Sequence, residues 1–164
     1  MSKTMENLKE AFAGESQANR KYLAFAKKAD DEGLPQVAKL FRAAAAAETI
    51  HAHAHLRQMK GIGSTPDNLK EAVAGETHEF KSMYPAMIAD AQAEGDKAAE
   101  RYFVFANKAE ECHANLYSKA AEKMGDLEVV DYYVCSVCGH IHEGQPTDKC
   151  PICGAAPKAY SLVD

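Results

Sequence analysis

The chain has 164 residues, of which 46% are hydrophobic and 26% are charged, and its formal net charge is −5. This length suits one medium domain with at most a small additional one, and the hydrophobic share is enough for a buried core. The acidic balance provides no basic field for nucleic acid or for an anionic membrane surface, so we expect neither partner.

The sequence contains no candidate membrane segment. No apolar run reaches the roughly 18 to 20 residues that a membrane span needs, and the first residues lack the apolar stretch of a signal peptide. We therefore expect a cytoplasmic protein. Four of the five cysteines form two close pairs near the C-terminus, and in a reducing compartment such pairs indicate metal ligands rather than disulfides.

Helical periodicity predicts four helices, at approximately 4–32, 35–60, 67–94 and 96–124. Gly33 and Pro35 separate the first two, and a glycine-rich segment from Gly61 to Pro66 separates the second from the third. Pro85 lies inside the third helix and should kink it. An internal repeat relates the two helix pairs, because the nine residues that end at Glu15 return as the nine that end at Glu76.

Beyond Gly125 the sequence changes to short β-prone segments, glycines, prolines and cysteines. We therefore predict two domains. Residues 1–128 form an all-α four-helix bundle, and residues 129–164 form a small second domain with metal-binding knuckles.

Two copies of a Glu-x-x-His signature lie 62 positions apart, at Glu48 with His51 and at Glu110 with His113. Residues three apart project from the same face of a helix, so each copy can offer a carboxylate and an imidazole to one metal ion. Together with single glutamates from two other helices, this is the ligand set of di-iron and di-manganese bundles. In this sequence the single glutamates are Glu15 and Glu76.

Hard carboxylates with two imidazoles suit iron or manganese. The alternative interpretation is that these six residues are ordinary solvated charges on helix surfaces. All six fall on apolar stripes, where an unpaired carboxylate is costly, and this argues against that alternative.

Glu79 lies one turn beyond Glu76 on the same face and is a candidate seventh ligand. It has no counterpart in the first helix, where the matching residue is Ala18. This asymmetry suggests an exchangeable ligand that alternates with His51 when the metals change oxidation state.

Tyr22 and Tyr84 lie two turns after Glu15 and Glu76. Core packing and hydrogen bonding to the ligand carboxylates are both open for the two tyrosines. Cys112 points away from the Glu110 and His113 face and is interpreted as a lone thiol that behaves as a small apolar residue.

The remaining cysteines form two Cys-x-x-Cys pairs, Cys135 with Cys138 and Cys150 with Cys153, with eleven residues between the pairs. Two such knuckles close a tetrahedral four-thiolate site that fits zinc or a single iron. The spacing predicts a metal but does not choose between these two, and a purely structural zinc ribbon remains open.

The whole chain resembles the rubrerythrin family in six segments. These are Gly14–Arg20, Glu48–His51, Gly75–Glu79, Ala109–His113 and the two knuckles with the Gly139–Gly144 segment. The resemblance implies a ferritin-like di-iron bundle fused to a rubredoxin-like domain. It implies two iron ions in the bundle and one in the four-cysteine site, with zinc or manganese substitution possible.

The resemblance also implies roles for individual residues. Glu48 and Glu110 would bridge the two metals, Glu15 and Glu76 would be terminal ligands, and Glu79 and His51 would exchange. The implied activity is a peroxidase that reduces hydrogen peroxide to water, with electrons from a reductase or a rubredoxin entering through the four-cysteine iron. A ferroxidase or iron-handling ferritin-like protein is the alternative, although storage needs neither an exchangeable ligand nor an electron inlet.

The link between the second and third helices predicts how chains assemble. In the family's bundle these helices run parallel, which requires the link to span roughly 32 Å from the ends of the predicted helices. Seven extended steps from Lys60 to Asp67 reach only about 24 Å. We therefore expect a homodimer in which helix pairs are swapped between chains.

Overall fold

The structure is a computed structural model that describes residues 2–163. The chain forms two compact units, of which the first ends at Gly63 and the second begins at Ser64. Within the described residues, no helix is both long enough and apolar enough to cross a membrane.

The first unit consists of two long helices, α1 (Lys3–Asp31) and α2 (Pro35–Gln58). The Ser2 hydroxyl caps α1 by accepting a hydrogen bond from the Met5 backbone N–H. Gly33 has a φ of 72°, a left-handed conformation that glycine adopts without strain, and Pro35 follows in the first turn of α2, where its missing N–H costs nothing. The chain therefore reverses direction within three residues.

The two helices of this unit approach closely because the residues between them are small. Ala26, Ala29, Ala38, Ala45 and Ala52 are buried, and the buried polar residue that accompanies them is Asn19. Several large apolar side chains of the same helices stay exposed, with Leu40 at 68% and Ile50 at 67%. Taken alone, the first unit thus leaves apolar surface that a folded protein normally covers.

The second unit begins with α3 (Thr65–His78), which continues through a π-helical segment (Glu79–Met83) into α4 (Tyr84–Glu94), and α5 (Lys97–Glu122) packs against all three. The sequence predicts a kink at Pro85, and the structure has the π-helical segment just before this residue. Proline has no N–H, and its ring would clash with a carbonyl in the preceding turn of a regular helix. The wider π turn, in which the Tyr84 N–H bonds to the Glu79 carbonyl, accommodates it.

A three-stranded antiparallel sheet follows α5 in the same unit. Its strands are β1 (Tyr132–Cys135), β2 (Ile141–Glu143) and β3 (Tyr160–Leu162), in the order β2-β1-β3. Buried cysteines form the core of this region, and Phe105 of α5 packs against them. The small sheet therefore shares its core with the last long helix.

Candidate metal centres

The four paired cysteines converge on one point beside the sheet. The Sγ atoms of Cys135 and Cys153 are 3.7 Å apart, and those of Cys138 and Cys150 are 3.5 Å apart. A metal with four tetrahedral sulfur ligands at about 2.3 Å requires sulfur separations of about 3.8 Å. The cluster geometry therefore fits a single four-thiolate metal ion.

Backbone turns and one tyrosine surround these sulfurs. In each knuckle a glycine N–H bonds back to the first cysteine carbonyl, from Gly139 to Cys135 and from Gly154 to Cys150. Burial opposes ionisation of Cys150, but hydrogen bonds from the Tyr160 hydroxyl and from nearby backbone groups outweigh it and lower the pKa of this thiol to about 6. The surroundings of Cys150 therefore favour the thiolate, which is the form that binds metal, whereas burial raises the pKa of the Cys138 and Cys153 thiols.

The first unit brings together Glu15, Glu48 and His51. Their ligand atoms lie within 4.8 Å of one another. His51 Nδ1 is 2.9 Å from Glu48 Oε2, its neighbour on α2, and 3.8 Å from Glu15 Oε2 on α1. The His51 side chain is 54% exposed, so nothing within this unit encloses it.

The second unit repeats the arrangement with Glu76, Glu110 and His113, again within 4.8 Å. His113 Nδ1 is 2.7 Å from Glu110 Oε2 and 3.5 Å from Glu76 Oε2. The His113 side chain is only 16% exposed, and its Nε2 donates a hydrogen bond of 3.0 Å to the Gly139 carbonyl. Because a carbonyl can only accept, the proton of the neutral imidazole lies on Nε2 and the Nδ1 lone pair faces the two carboxylates.

This second cluster fits a cation. Glu76 Oε2 is buried and has no hydrogen-bond partner. Burial and the neighbouring Glu110 carboxyl raise the pKa of Glu76, the direction expected for two close carboxyl groups with no cation between them. A metal ion among the three ligand atoms would satisfy all of them, and two carboxylates with one imidazole suit iron.

Glu79 belongs to neither cluster in the structure, although it is the first residue of the π-helical segment just after the Glu76 turn. Tyr84, at the end of that segment, lies close enough to the carboxylates that burial, Glu110 and Glu79 raise the pKa of its hydroxyl. Tyr22 packs against Phe25 and Phe41, with ring centroids 6.3 and 6.2 Å away.

Several residues around the sites have no assigned role in the sequence prediction. Asn19 ties α1 to α2, Tyr160 contacts a cysteine sulfur, and the Gly139 carbonyl holds His113. Cys112 is partly buried, and its Sγ lies 3.5 Å from the Ile141 carbonyl. None of these contacts has a short-range sequence signal, because each joins segments that are distant in the chain.

Comparisons with known proteins agree with these donor sets. The family model described as Rubrerythrin matches residues 6–121, and the one described as Rubrerythrin, rubredoxin-like domain matches residues 133–161. Nigerythrin of Nitratidesulfovibrio vulgaris is 40% identical over 92% of this chain and 81% of its own length. Rubrerythrin-2 of Clostridium acetobutylicum is 36% identical over 92% of this chain and 91% of its own.

Solved structures show the same likeness. One titled "Partially Reduced State of Nigerythrin" and one titled "Fully reduced state of nigerythrin (all ferrous)" each have a TM-score of 0.60 and 36% identity. Each alignment covers 99% of this chain and 88% of the other.

Ferritin-like iron proteins that carry a rubredoxin-like domain are the class that this fold and these donor sets define. Within that class, the chain belongs to the rubrerythrin family. The predicted fold class and the predicted iron cofactors, a di-iron carboxylate centre and one iron in the four-cysteine site, are confirmed. The chain is accordingly an oxidoreductase of the rubrerythrin type.

Proposed function

We propose that this protein is a peroxidase that reduces hydrogen peroxide to water in the cytoplasm, with electrons that enter through the four-cysteine iron. The observation that supports this most strongly is the presence, in one chain, of two matched Glu-Glu-His clusters and a four-thiolate site. Reduction of one peroxide to two waters consumes two electrons and two protons, and a di-iron group supplies two electrons at once while a single iron passes them one at a time. A reductase or a rubredoxin is the external donor.

The proposed ligands of the two iron ions are seven residues. They are Glu15, Glu48, His51, Glu76, Glu79, Glu110 and His113. Cys135, Cys138, Cys150 and Cys153 hold the single iron. The raised pKa of Tyr84 keeps its hydroxyl protonated at neutral pH, so this residue is placed to donate a hydrogen bond to a ligand carboxylate or to bound peroxide. We propose the same hydrogen-bonding role for Tyr22 in the first helix pair.

Glu79 and His51 are proposed to alternate as ligands. Oxidation of the iron pair adds positive charge, which a carboxylate offsets and a neutral imidazole does not. His51 is the more exposed of the two histidines, whereas Gly139 fixes His113 in place. The histidine that is free to move is thus the one assigned to the exchange.

Each unit supplies one half of the proposed di-iron centre, and we propose that the halves combine across a swapped homodimer. In a bundle whose α2 and α3 run parallel, the link must cover about 15 Å of α2 beyond Glu48 and about 17 Å of α3 before Glu76. The residues between Gln58 and Thr65, fully extended, reach about 24 Å. The link is not extended, since Lys60 has a φ of 56° and Gly61 bonds back to Leu56.

A swapped dimer also gives the exposed apolar residues of the first unit a partner. Leu23, Phe25, Val37, Leu40 and Ile50 are each more than 40% exposed. In the proposed dimer, α1 and α2 of one chain pack on α3 to α5 of its partner, and the two ligand clusters meet there.

Anaerobic reduction followed by peroxide addition tests the activity. The iron-loaded protein is reduced fully, mixed with hydrogen peroxide or with dioxygen, and followed by visible absorption. We expect both iron centres to reoxidise faster with peroxide than with dioxygen, with one peroxide consumed for every two electrons. Oxygen-driven accumulation of iron without peroxide turnover would instead identify a ferroxidase, and absence of reoxidation by either oxidant would contradict any peroxidase.

A further inference from the structure

The four-cysteine domain lies directly against the second carboxylate–histidine cluster of its own chain. Three polar contacts join this domain to α5. They are the His113 Nε2 hydrogen bond to the Gly139 carbonyl at 3.0 Å, the Cys112 Sγ contact with the Ile141 carbonyl at 3.5 Å, and an ion pair between Lys119 and Glu143. Phe105, also on α5, packs on the cysteine core. We call this set of contacts the docking surface.

His113 connects the two sites through both ring nitrogens. Nδ1 faces Glu76 and Glu110, and Nε2 bonds to the carbonyl of the residue that follows Cys138. From the Cys138 sulfur to His113 Nδ1 the path is covalent except for that one hydrogen bond.

Lys119 and Glu143 form the ion pair of the docking surface. Lys119 Nζ donates to both carboxylate oxygens of Glu143, at 2.7 and 2.9 Å. The pair is partly shielded, with side-chain exposures of 37% and 30%, and it lies at the β2 side of the docking surface, two turns along α5 from His113. Hydrogen bonds between charged groups are stronger than neutral ones, so this pair helps to hold the β2 region close to α5.

We propose that Lys119 and Glu143 are positioning residues that hold the four-cysteine domain on its own α5, so that His113 receives electrons through the Gly139 carbonyl. This inference rests on the proposed function. In each transfer the four-cysteine iron is oxidised from ferrous to ferric, and one ferric ion of the carboxylate centre is reduced to ferrous. The external reductase then restores the first iron, and two such transfers serve one peroxide.

The test measures transfer between the two centres rather than turnover. Fully reduced, iron-loaded protein is mixed with one equivalent of hydrogen peroxide in a stopped-flow instrument. Reoxidation of the carboxylate irons and the later reoxidation of the four-cysteine iron are followed separately by their absorption. Lys119→Glu and Glu143→Lys each place two like charges at the pair and should slow the second phase at least about fivefold. The first phase should be unchanged.

A double variant in which the two charges are exchanged should restore the rate of the second phase. The double variant Lys119→Glu with Glu143→Lys restores an attractive pair and should bring the second phase back to within about twofold of the original rate. In the single variants, the second phase should also slow as solvent viscosity rises, because the domain must dock before transfer. Lys97→Glu is the matched control, since Lys97 pairs with Glu100 on the same helix but outside the docking surface.

The outcomes separate the inference from the proposed function. An unchanged second phase in both single variants, with spectra, iron content and midpoint potentials also unchanged, would overturn the positioning role. A slow second phase that charge exchange does not rescue would overturn it as well. If peroxide fails to oxidise the carboxylate irons even in the unaltered protein, the proposed function fails instead.

Discussion

At the residue scale, the two histidines of the matched clusters differ in how they are held. His113 is 16% exposed and is fixed through both nitrogens, whereas His51 is 54% exposed. The two units also differ three residues after the single glutamate. The second unit has Glu79 at this position, and the first unit has Ala18. In the proposed exchange, the first unit therefore contributes the less enclosed histidine, His51, and the second unit contributes the carboxylate that alternates with it, Glu79.

The exchange predicts a specific phenotype for Glu79→Ala. Six ligands remain, so iron content should stay near that of the unaltered protein, while peroxide turnover should fall roughly tenfold because the oxidised pair loses its compensating carboxylate. Turnover and iron content are measured on the same samples. Glu71→Ala, an exposed glutamate on the same helix, is the control and should change neither. Retention of full turnover in Glu79→Ala would rule out the exchange.

Residue identities at the clusters are predictable from sequence, but their surroundings are not. Glu48 with His51 and Glu110 with His113 are spaced within one helical turn, and the cysteine pairs are equally local. The tie from Asn19 to Ala45 joins two helices, and the contact from Tyr160 to Cys150 joins β3 to the second knuckle. Such contacts depend on how the elements pack, which local periodicity does not encode.

At the scale of elements, Asn19 sets the register of α1 against α2. Its Nδ2 donates to the Ala45 carbonyl at 2.7 Å and to Thr49 Oγ1 at 2.8 Å. Asn19 lies one turn after Glu15, and Ala45 lies three residues before Glu48, so the tie is one helical turn from a ligand on each helix. A slip of one helix along the other would therefore break the tie and separate the ligands together.

Asn19→Ala should lower the stability of the metal-free protein by about 2 kcal/mol, because the two hydrogen bonds that the buried Asn19 amide donates to α2 are lost. It should also weaken iron binding, since the register of Glu15 is no longer fixed. Urea denaturation of the metal-free protein and iron titration measure the two effects. Gln17→Ala, an exposed neighbour on α1, is the control. A stable Asn19→Ala protein that binds iron normally would contradict the assigned role.

The π-helical segment is the second feature at this scale. The sequence predicts that Pro85 disturbs the third helix, and the structure adds that the disturbance is a π turn that begins at Glu79. The π turn therefore separates Glu76 from Pro85 and begins at the proposed exchangeable ligand.

At the scale of the whole molecule, the chain contains two units that each carry one Glu-Glu-His cluster, and the four-cysteine domain lies with the second. The predicted boundary between a bundle at 1–128 and a small domain at 129–164 follows composition, whereas the compact units divide at Gly63. The proposed swapped dimer would reconcile the two descriptions, because a second chain would complete the bundle.

Mixing two inactive variants tests directly whether helix pairs are swapped between the chains of a dimer. Glu48→Ala removes a ligand from the first unit and Glu110→Ala removes one from the second, so each variant alone should be impaired at every site. In a swapped heterodimer one site lacks both glutamates and the other is intact, so a randomly mixed sample should regain about a quarter of the peroxide turnover of the unaltered protein. Heterodimers that native mass spectrometry shows to form, but that regain no turnover, would contradict the account.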